Sequence, residues 1–223
     1  MLFFVVFLRQ AISEEIPYLN EVTFESQVIN MQKNEVWVVL FYEPNQIIQN
    51  GNILMKFNTA ALRSMDMRFG IVNATKHTSL IERLNIQQLP VIKMFSPTKN
   101  ITYEGKNEPR NIIKKAATLI PNFVQKIGVS WKDSTGKPSI MLFNRTKKIP
   151  SVLKAVASHY YGKNIRVGFS NDENVFFPFL ISRTPAILFS NGTQSIPYRG
   201  RLIYSEIIQS VDKFFFKVFS TQI

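Results

Sequence analysis

The sequence contains no cysteine among its 223 residues. This absence excludes disulfide scaffolds, thiolate zinc sites, iron–sulfur clusters, thiol nucleophiles and dithiol redox chemistry within the chain, because each needs sulfur as the binding or reacting atom. Histidine occurs only twice, at His77 and His159, so a metal site would have to rely on carboxylates. We therefore expect no metal ion and no other cofactor.

Acidic residues are also scarce: 15 aspartates and glutamates stand against 27 lysines and arginines, a formal net charge of +12. The excess lies in the second half, where fourteen basic residues accompany five acidic residues from residue 126 onward. Four cations are close in sequence: Arg145, Lys147, Lys148 and Lys154. They form either a solvated face or a docking surface for an acidic lumenal partner. No basic and aromatic motif of a nucleic-acid-binding module occurs, so nucleic acid is not an expected partner.

No apolar run is long enough to span a bilayer, and this holds for the N-terminal run from Leu2 to Leu8. Together with the small residues Ala11 and Ser13, this run predicts a signal peptide over residues 1–13. No basic residue precedes the run and Arg9 follows it, so a truncated gene model and a buried first strand are the alternatives. No later segment reaches the roughly 20 apolar residues of a membrane span, so none is expected after signal removal.

The sequence contains an internal repeat with an offset of 95 residues. The first copy reads PVIKMFS from Pro90, YEG from Tyr103 and II from Ile112; the second reads PAILFS, YRG and II at the corresponding positions. A period this long is typical of a domain rather than a solenoid repeat. We expect two copies of one fold, over residues 14–125 and 138–223, joined by a linker over residues 126–137.

Each copy predicts alternating strands and helices that close with a hairpin and a helix, which is a layered α/β plan. In the first copy, strands are predicted over residues 36–41, 67–72, 91–95 and 101–103, and helices over residues 54–67, 79–84 and 109–119. In the second copy, strands are predicted over residues 140–143, 165–169 and 186–189, and helices over residues 151–160, 174–181 and 204–216.

Several motifs resemble a known family. The run from Phe41 to Pro44, the Pro90 strand, the YEG motif and the closing helix resemble a thioredoxin domain of the protein disulfide isomerase family. The second copy resembles the family's non-catalytic domains, and residues 138–157 are also similar to thioredoxin-like modules of endoplasmic-reticulum J-domain proteins. The resemblance implies an α/β fold with two tandem thioredoxin-like domains, each a mixed β-sheet flanked by helices.

The resemblance also implies that the active site is degenerate. Where the family carries Tyr-x-Pro-Trp-Cys-x-x-Cys, Gln46 stands at the position of the nucleophile and Gln49, or Asn50 after a one-residue insertion, at that of the resolving cysteine. A carboxamide has no thiolate state, so thiol–disulfide exchange is absent and no catalytic residue is expected. The family's buried strand carboxylate falls at Leu40, which is consistent with the loss of the thiols.

The family's peptide-binding apparatus is expected to remain. In thioredoxin folds the proline before the fourth strand typically follows a cis peptide bond and presents backbone groups to which an extended peptide can add as a strand. Either proline could instead be only a rigid strand start, and most rings near Phe176 could fill the core. The expected peptide-binding residues are Tyr42, Ile47, Ile48, Leu89, Pro90, Phe176, Phe177, Thr184 and Pro185.

These inferences favour a non-catalytic protein of the secretory pathway, resident in the endoplasmic reticulum lumen or secreted, that binds unfolded or partner polypeptides and assists their folding. One alternative is a thiol–disulfide isomerase by homology, and another is an adaptor that docks an acidic lumenal partner through its basic second domain.

Glycosylation is predicted at the sequons of Asn100, Asn191 and Asn144. Asn100 and Asn191 are expected on hairpin turns, and Asn144 is expected at a strand end. The sequon at Asn73 is expected to be shielded.

Overall fold

The computed structural model describes residues 16–45, 52–132 and 136–218 and shows one mixed β-sheet in each half of the chain. The strands are β1 (Trp37–Tyr42), β2 (Arg68–Asn73), β3 (Val91–Ser96), β4 (Lys99–Thr102), β5 (Gln125–Lys126), β6 (Ser139–Phe143), β7 (Arg166–Ser170), β8 (Ala186–Ser190) and β9 (Ser195–Tyr198). The first sheet has the order β2-β1-β3-β4 and the second the order β5-β7-β6-β8-β9. The predicted α/β fold class is confirmed.

Helices flank both sheets. They are α1 (Glu21–Phe24), which continues as a π-helix (Glu25–Ile29), α2 (Asn52–Arg63), α3 (Thr78–Arg83), α4 (Pro109–Ala116), α5 (Ser151–His159), α6 (Glu173–Phe176), which continues as a 3₁₀ helix (Phe177–Phe179), and α7 (Tyr204–Val218). A further 3₁₀ helix spans Val129–Lys132. The asparagine cap of α1 and the proline in the first turn of α4 are sequence signals for helix starts.

The central strand β1 is buried on both faces, as its unbroken apolar run predicts. It pairs in parallel with β2 and antiparallel with β3. Leu40 is fully buried in the core under α2 and α4, so the position of the family's carboxylate is purely apolar here. Phe41 faces the opposite core, where its ring lies 6.0 Å from that of Phe24. The strand is therefore held between two apolar layers.

The second sheet repeats this plan around β6, which pairs in parallel with β7 and antiparallel with β8. Leu142 lies in the core under α5 and α7. Phe143 lies in the opposite core, with its ring centroid 5.8 Å from that of Phe176 and 5.0 Å from that of Phe179. The short α6 segment is thus fixed to the sheet by aromatic contacts.

The first part of the predicted linker is wrong, because the second sheet begins at residue 125. Strand β5 pairs with β7, and Ile127 and Trp131 pack into the same core as Phe143. A Cβ atom at Gly168 would lie 2.7 Å from Ile127 Cγ1, so the missing side chain permits this close approach. Sequence patterns missed the segment because β5 has only two residues, both polar, and therefore no apolar alternation.

The predicted position of Asn100 is also wrong. Asn100 lies within the edge strand β4 rather than on the turn, which is formed by Pro97 and Thr98. Its side chain is exposed, as the glycosylation prediction requires. Asn191 lies in the turn before β9, where its Oδ1 accepts hydrogen bonds from the backbone N–H groups of Thr193 and Gln194.

The two halves meet at the end of α5. Ser158 Oγ donates to the carbonyl of Asn34 at 2.6 Å, and Asn34 Nδ2 donates to the carbonyl of Ser158 at 3.0 Å. Nearby, the imidazole of His159 lies 3.7 Å from the carboxylate of Asp66. Burial and the neighbouring Asp66 raise the pKa of the Tyr204 phenol. Polar contacts thus join the two halves.

Candidate polypeptide-binding edges

In each half, the strand register brings two loops to the same edge of the sheet. Phe41 pairs with Val91, and Phe143 pairs with Ala186, so the loop after each central strand lies beside the loop that carries the proline. We call these regions the first proline edge (residues 43–44 and 88–90) and the second proline edge (residues 144–148, 171–173 and 183–185). The β6–β7 register places Ser170 beside Phe143, so residues 171–173 belong to the second edge.

At the first proline edge, the Leu89–Pro90 peptide bond is cis, as expected, and both residues are half-buried. Leu89 packs against the core that contains Phe41. Tyr42 is only 9% exposed and its ring belongs to the core under α2, so its predicted peptide contact is wrong. Burial, with a smaller contribution from neighbouring Tyr18, raises the pKa of the Tyr42 phenol.

The degenerate active-site positions lie outside the described residues. They are Gln46, Gln49 and Asn50. Ile47 and Ile48, which are predicted to contact peptide, also lie outside the described residues, so that contact stays a prediction. Their chemistry is fixed by the sequence, because neither carboxamide nor aliphatic side chains provide a thiolate.

At the second proline edge, the Thr184–Pro185 peptide bond is also cis; Thr184 is half-buried and Pro185 is exposed. In the described part of the chain, the backbone N–H and C=O groups of Leu89 and Thr184 take no part in the hydrogen bonds of turns, loops or caps. Each position lies two residues before a sheet strand, with the cis proline between them. An unpaired donor and acceptor at such a position can pair with an added strand.

The aromatic segment before Pro185 divides into buried and exposed residues. Phe176 is only 5% exposed and packs on Phe143, so its predicted peptide contact is wrong. The neighbouring Phe177 is 83% exposed and Leu180 is 88% exposed. Sequence analysis missed Leu180, because neither periodicity nor composition distinguishes an exposed leucine from one in the core.

Charged residues lie in the loops of the second proline edge, before and after this exposed pair in sequence. Arg145 Nε lies 2.7 Å from Glu173 Oε1 and joins the loop after β6 to α6. The Asp172 side chain accepts a hydrogen bond from the Asn174 backbone N–H and so caps α6. Of the clustered cations predicted from the sequence, Lys147 and Lys148 are exposed at this edge, whereas Lys154 is half-buried on α5.

The histidines have structural partners. His77 Nδ1 lies 2.7 Å from Glu21 Oε2, and Ser79 donates a hydrogen bond to the same carboxylate. A backbone hydrogen bond, with these two side chains, lowers the pKa of Glu21. Among residues 16–45, 52–132 and 136–218, no group of three or more histidines and carboxylates is placed to hold a metal ion. Within the same ranges, no helix has the length and apolar character to cross a membrane.

Known proteins resemble this chain in part of its sequence and in its fold. No protein-family model matches the chain. Protein disulfide-isomerase A6 from Mesocricetus auratus is 29% identical over 116 residues, which is 51% of this chain and 26% of that protein. The chain thus spans about a quarter of the length of this curated relative.

Solved structures agree in fold. The crystal structure of ERdj5 form II has a TM-score of 0.69 and 14% identity over 94% of this chain and 30% of its own. Full-length ERdj5 has a TM-score of 0.60 and 14% identity over 88% of this chain and 32% of its own. The chain therefore shares the thioredoxin-like fold of these structures, with one such sheet-and-helix unit in each half. It contains no cysteine with which to perform thiol–disulfide exchange.

Proposed function

We propose that this protein is a non-catalytic relative of the protein disulfide isomerases that binds unfolded or partner polypeptides and assists their folding. Its binding is non-covalent, because a chain without thiols cannot form a mixed disulfide. Its place of action is the lumen of the endoplasmic reticulum or the extracellular space. The predicted signal peptide and the sequons at Asn100, Asn144 and Asn191 support this location.

The observation that carries the proposal is one backbone position at each proline edge that forms no hydrogen bond of a turn, loop or cap with any described residue. Leu89 and Thr184 lie two residues before the strands β3 and β8, at the end of the sheet where these strands begin. Their backbone groups make no turn or loop hydrogen bond in the described residues. An extended polypeptide can satisfy these groups as an added strand whatever its sequence. Such binding suits clients that share only exposed backbone and apolar side chains.

The direct test is suppression of aggregation. A chemically denatured, cysteine-free model substrate is diluted into buffer with or without the protein, and light scattering is recorded. We expect scattering to fall in proportion to the protein added, because the client's exposed backbone and apolar residues are covered. Equal scattering in the presence and absence of the protein would contradict the proposal.

The alternative of a thiol–disulfide isomerase is tested by insulin reduction. The expected rate equals that of buffer with reductant alone, because no atom of the chain can attack a disulfide. A rate increase proportional to protein concentration would overturn the assignment as non-catalytic.

A second candidate function is that of an adaptor, and the exposed Lys147 and Lys148 favour it. An adaptor would bind one acidic lumenal partner through charge, so its binding would weaken steeply as salt screens the cations. A folding factor would retain most of its aggregation suppression in the same salt series.

The proposed location is tested by expression in secretory cells. Glycosidase treatment should increase the electrophoretic mobility of the protein, and the sequon variants should remove that shift.

A further inference from the structure

The exposed apolar patch beside the second proline edge is formed by Phe177, Pro178 and Leu180. Phe177 and Leu180 project into solvent although their neighbours Phe176 and Phe179 are buried on Phe143. The buried rings fix the backbone of the segment, and the N–H of Leu180 donates to the carbonyl of Phe177 at 2.9 Å. The patch is therefore presented on an anchored turn. A large exposed apolar area beside a binding edge is typical of an interaction surface.

Leu180 occupies a backbone conformation that does not suit leucine. Its φ is +56°, in the left-handed region, where a Cβ atom clashes with the backbone. The 95-residue offset of the repeat aligns Leu180 with Asn85, whose φ is +49°. Asparagine tolerates this region, and leucine does not. The second half thus has an exposed leucine at a left-handed backbone position that asparagine occupies in the first half.

The charges around the patch are unbalanced. Its two carboxylates already have partners, since Asp172 caps α6 and Glu173 pairs with Arg145. Lys147, Lys148 and Arg183 are exposed and form no ion pair with any described residue. The rim of the patch therefore carries uncompensated positive charge, which attracts anions and repels cations.

We propose that this patch selects client segments that are extended, apolar and acidic. The apolar side chains of such a segment cover Phe177 and Leu180, while its carboxylates face Lys147, Lys148 and Arg183. This inference rests on the proposed function and adds the class of client segment that the second half selects. A second copy of this chain does not fit the same surface as well, because a protein with a net charge of +12 brings further cations to a cationic rim.

The test uses two fluorescein-labelled peptides that share alternating phenylalanine and leucine residues. One peptide has glutamates between them and the other has lysines. Fluorescence anisotropy with the full-length protein at low salt should give an affinity at least about tenfold higher for the glutamate peptide, and added salt should shrink this ratio.

Variants locate the site. The double variant F177S/L180N and the charge-reversal variant K147E/K148E should each weaken the glutamate peptide by about tenfold or more. Asparagine at position 180 suits the left-handed backbone, so the fold is retained. The matched controls are L62S, which removes another strongly exposed leucine, and K114E/K115E, which reverses two exposed cations of the first half; neither should change binding.

The outcomes separate the two proposals. If both peptides bind equally and the variants change nothing while aggregation is still suppressed, this inference fails and the proposed function stands. If neither peptide binds and aggregation is not suppressed, both fail. A concentration-dependent dimer that F177S/L180N abolishes would assign the patch to a second copy and overturn the inference.

Discussion

Replacing Leu180 with asparagine should stabilise the second half of the protein while removing part of its binding surface. A left-handed conformation costs an ordinary L-residue roughly 1–2 kcal/mol, and asparagine avoids a good part of that cost. Leu180 is 88% exposed, so its removal sacrifices little packing. We therefore expect the free energy of unfolding to rise by about 1 kcal/mol, contrary to the usual effect of a substitution.

Urea unfolding can report this change because each half contains one tryptophan: Trp37 in β1 and Trp131 in the second core. In a Trp37→Phe background, fluorescence follows the second half, and L180N should move its midpoint up by about 0.5 M with an unchanged slope. The reciprocal variant N85L, followed by Trp37 in a Trp131→Phe background, should lower the first half's midpoint by a similar amount. An unchanged or lower midpoint for L180N together with an unchanged midpoint for N85L would refute the reasoning from backbone strain.

Three further predictions concern the packing and charges that support this surface. Phe143→Ala should destabilise the second half by roughly 3–5 kcal/mol in the same urea assay, because it empties the centre of the aromatic core under α6; Phe177→Ala should cost far less. Ser158→Ala should lower the free energy of unfolding by about 1 kcal/mol, because it removes the hydrogen bond to the Asn34 carbonyl. If the two residues couple the halves, the change in the double variant with Asn34→Ala should differ from the sum of the two single changes. The side-chain hydrogen bond from Arg201 lowers the pKa of Glu206. The ionised Glu206 carboxylate therefore stabilises the folded protein at neutral pH, and this stabilisation is lost as the pH falls and the carboxylate is protonated. In Arg201→Gln the NMR-measured Glu206 pKa should rise, and an unchanged value would exclude this cause.

The central strands were readable from sequence because both faces of each are apolar. The predicted range 36–41 is shifted by one residue at both ends from β1 (Trp37–Tyr42), and 140–143 lacks one residue at the start of β6 (Ser139–Phe143). A strand covered on both sides needs an unbroken apolar run, and that run is itself the signal. The repeat predicted that the second half has the same order of strands and helices as the first, because three motifs share one offset of 95 residues.

The candidate site was predicted less well, because exposure is decided by tertiary packing. Phe176 and Phe177 have the same chemistry and adjacent positions, yet only the short helix α6 determines which ring faces Phe143. Leu180 gave no signal because a left-handed backbone is expected for glycine or asparagine, not leucine. The start of the second sheet at β5 was missed for a related reason: two polar residues join the sheet through backbone pairing alone.

Without a thiol, affinity at these edges must come from burial and charge, and the magnitudes limit it. Covering Phe177 and Leu180 contributes roughly 1.5–3 kcal/mol for each side chain. Losing translational freedom and ordering an extended client costs at least about 4 kcal/mol, so this burial alone leaves little net affinity. Strand pairing at Thr184 and the three unpaired cations must supply the remainder. Two backbone hydrogen bonds and three exposed ion pairs add only about 2–6 kcal/mol, so we expect dissociation constants between the millimolar and the micromolar range. Release is then fast enough for a client to refold between encounters.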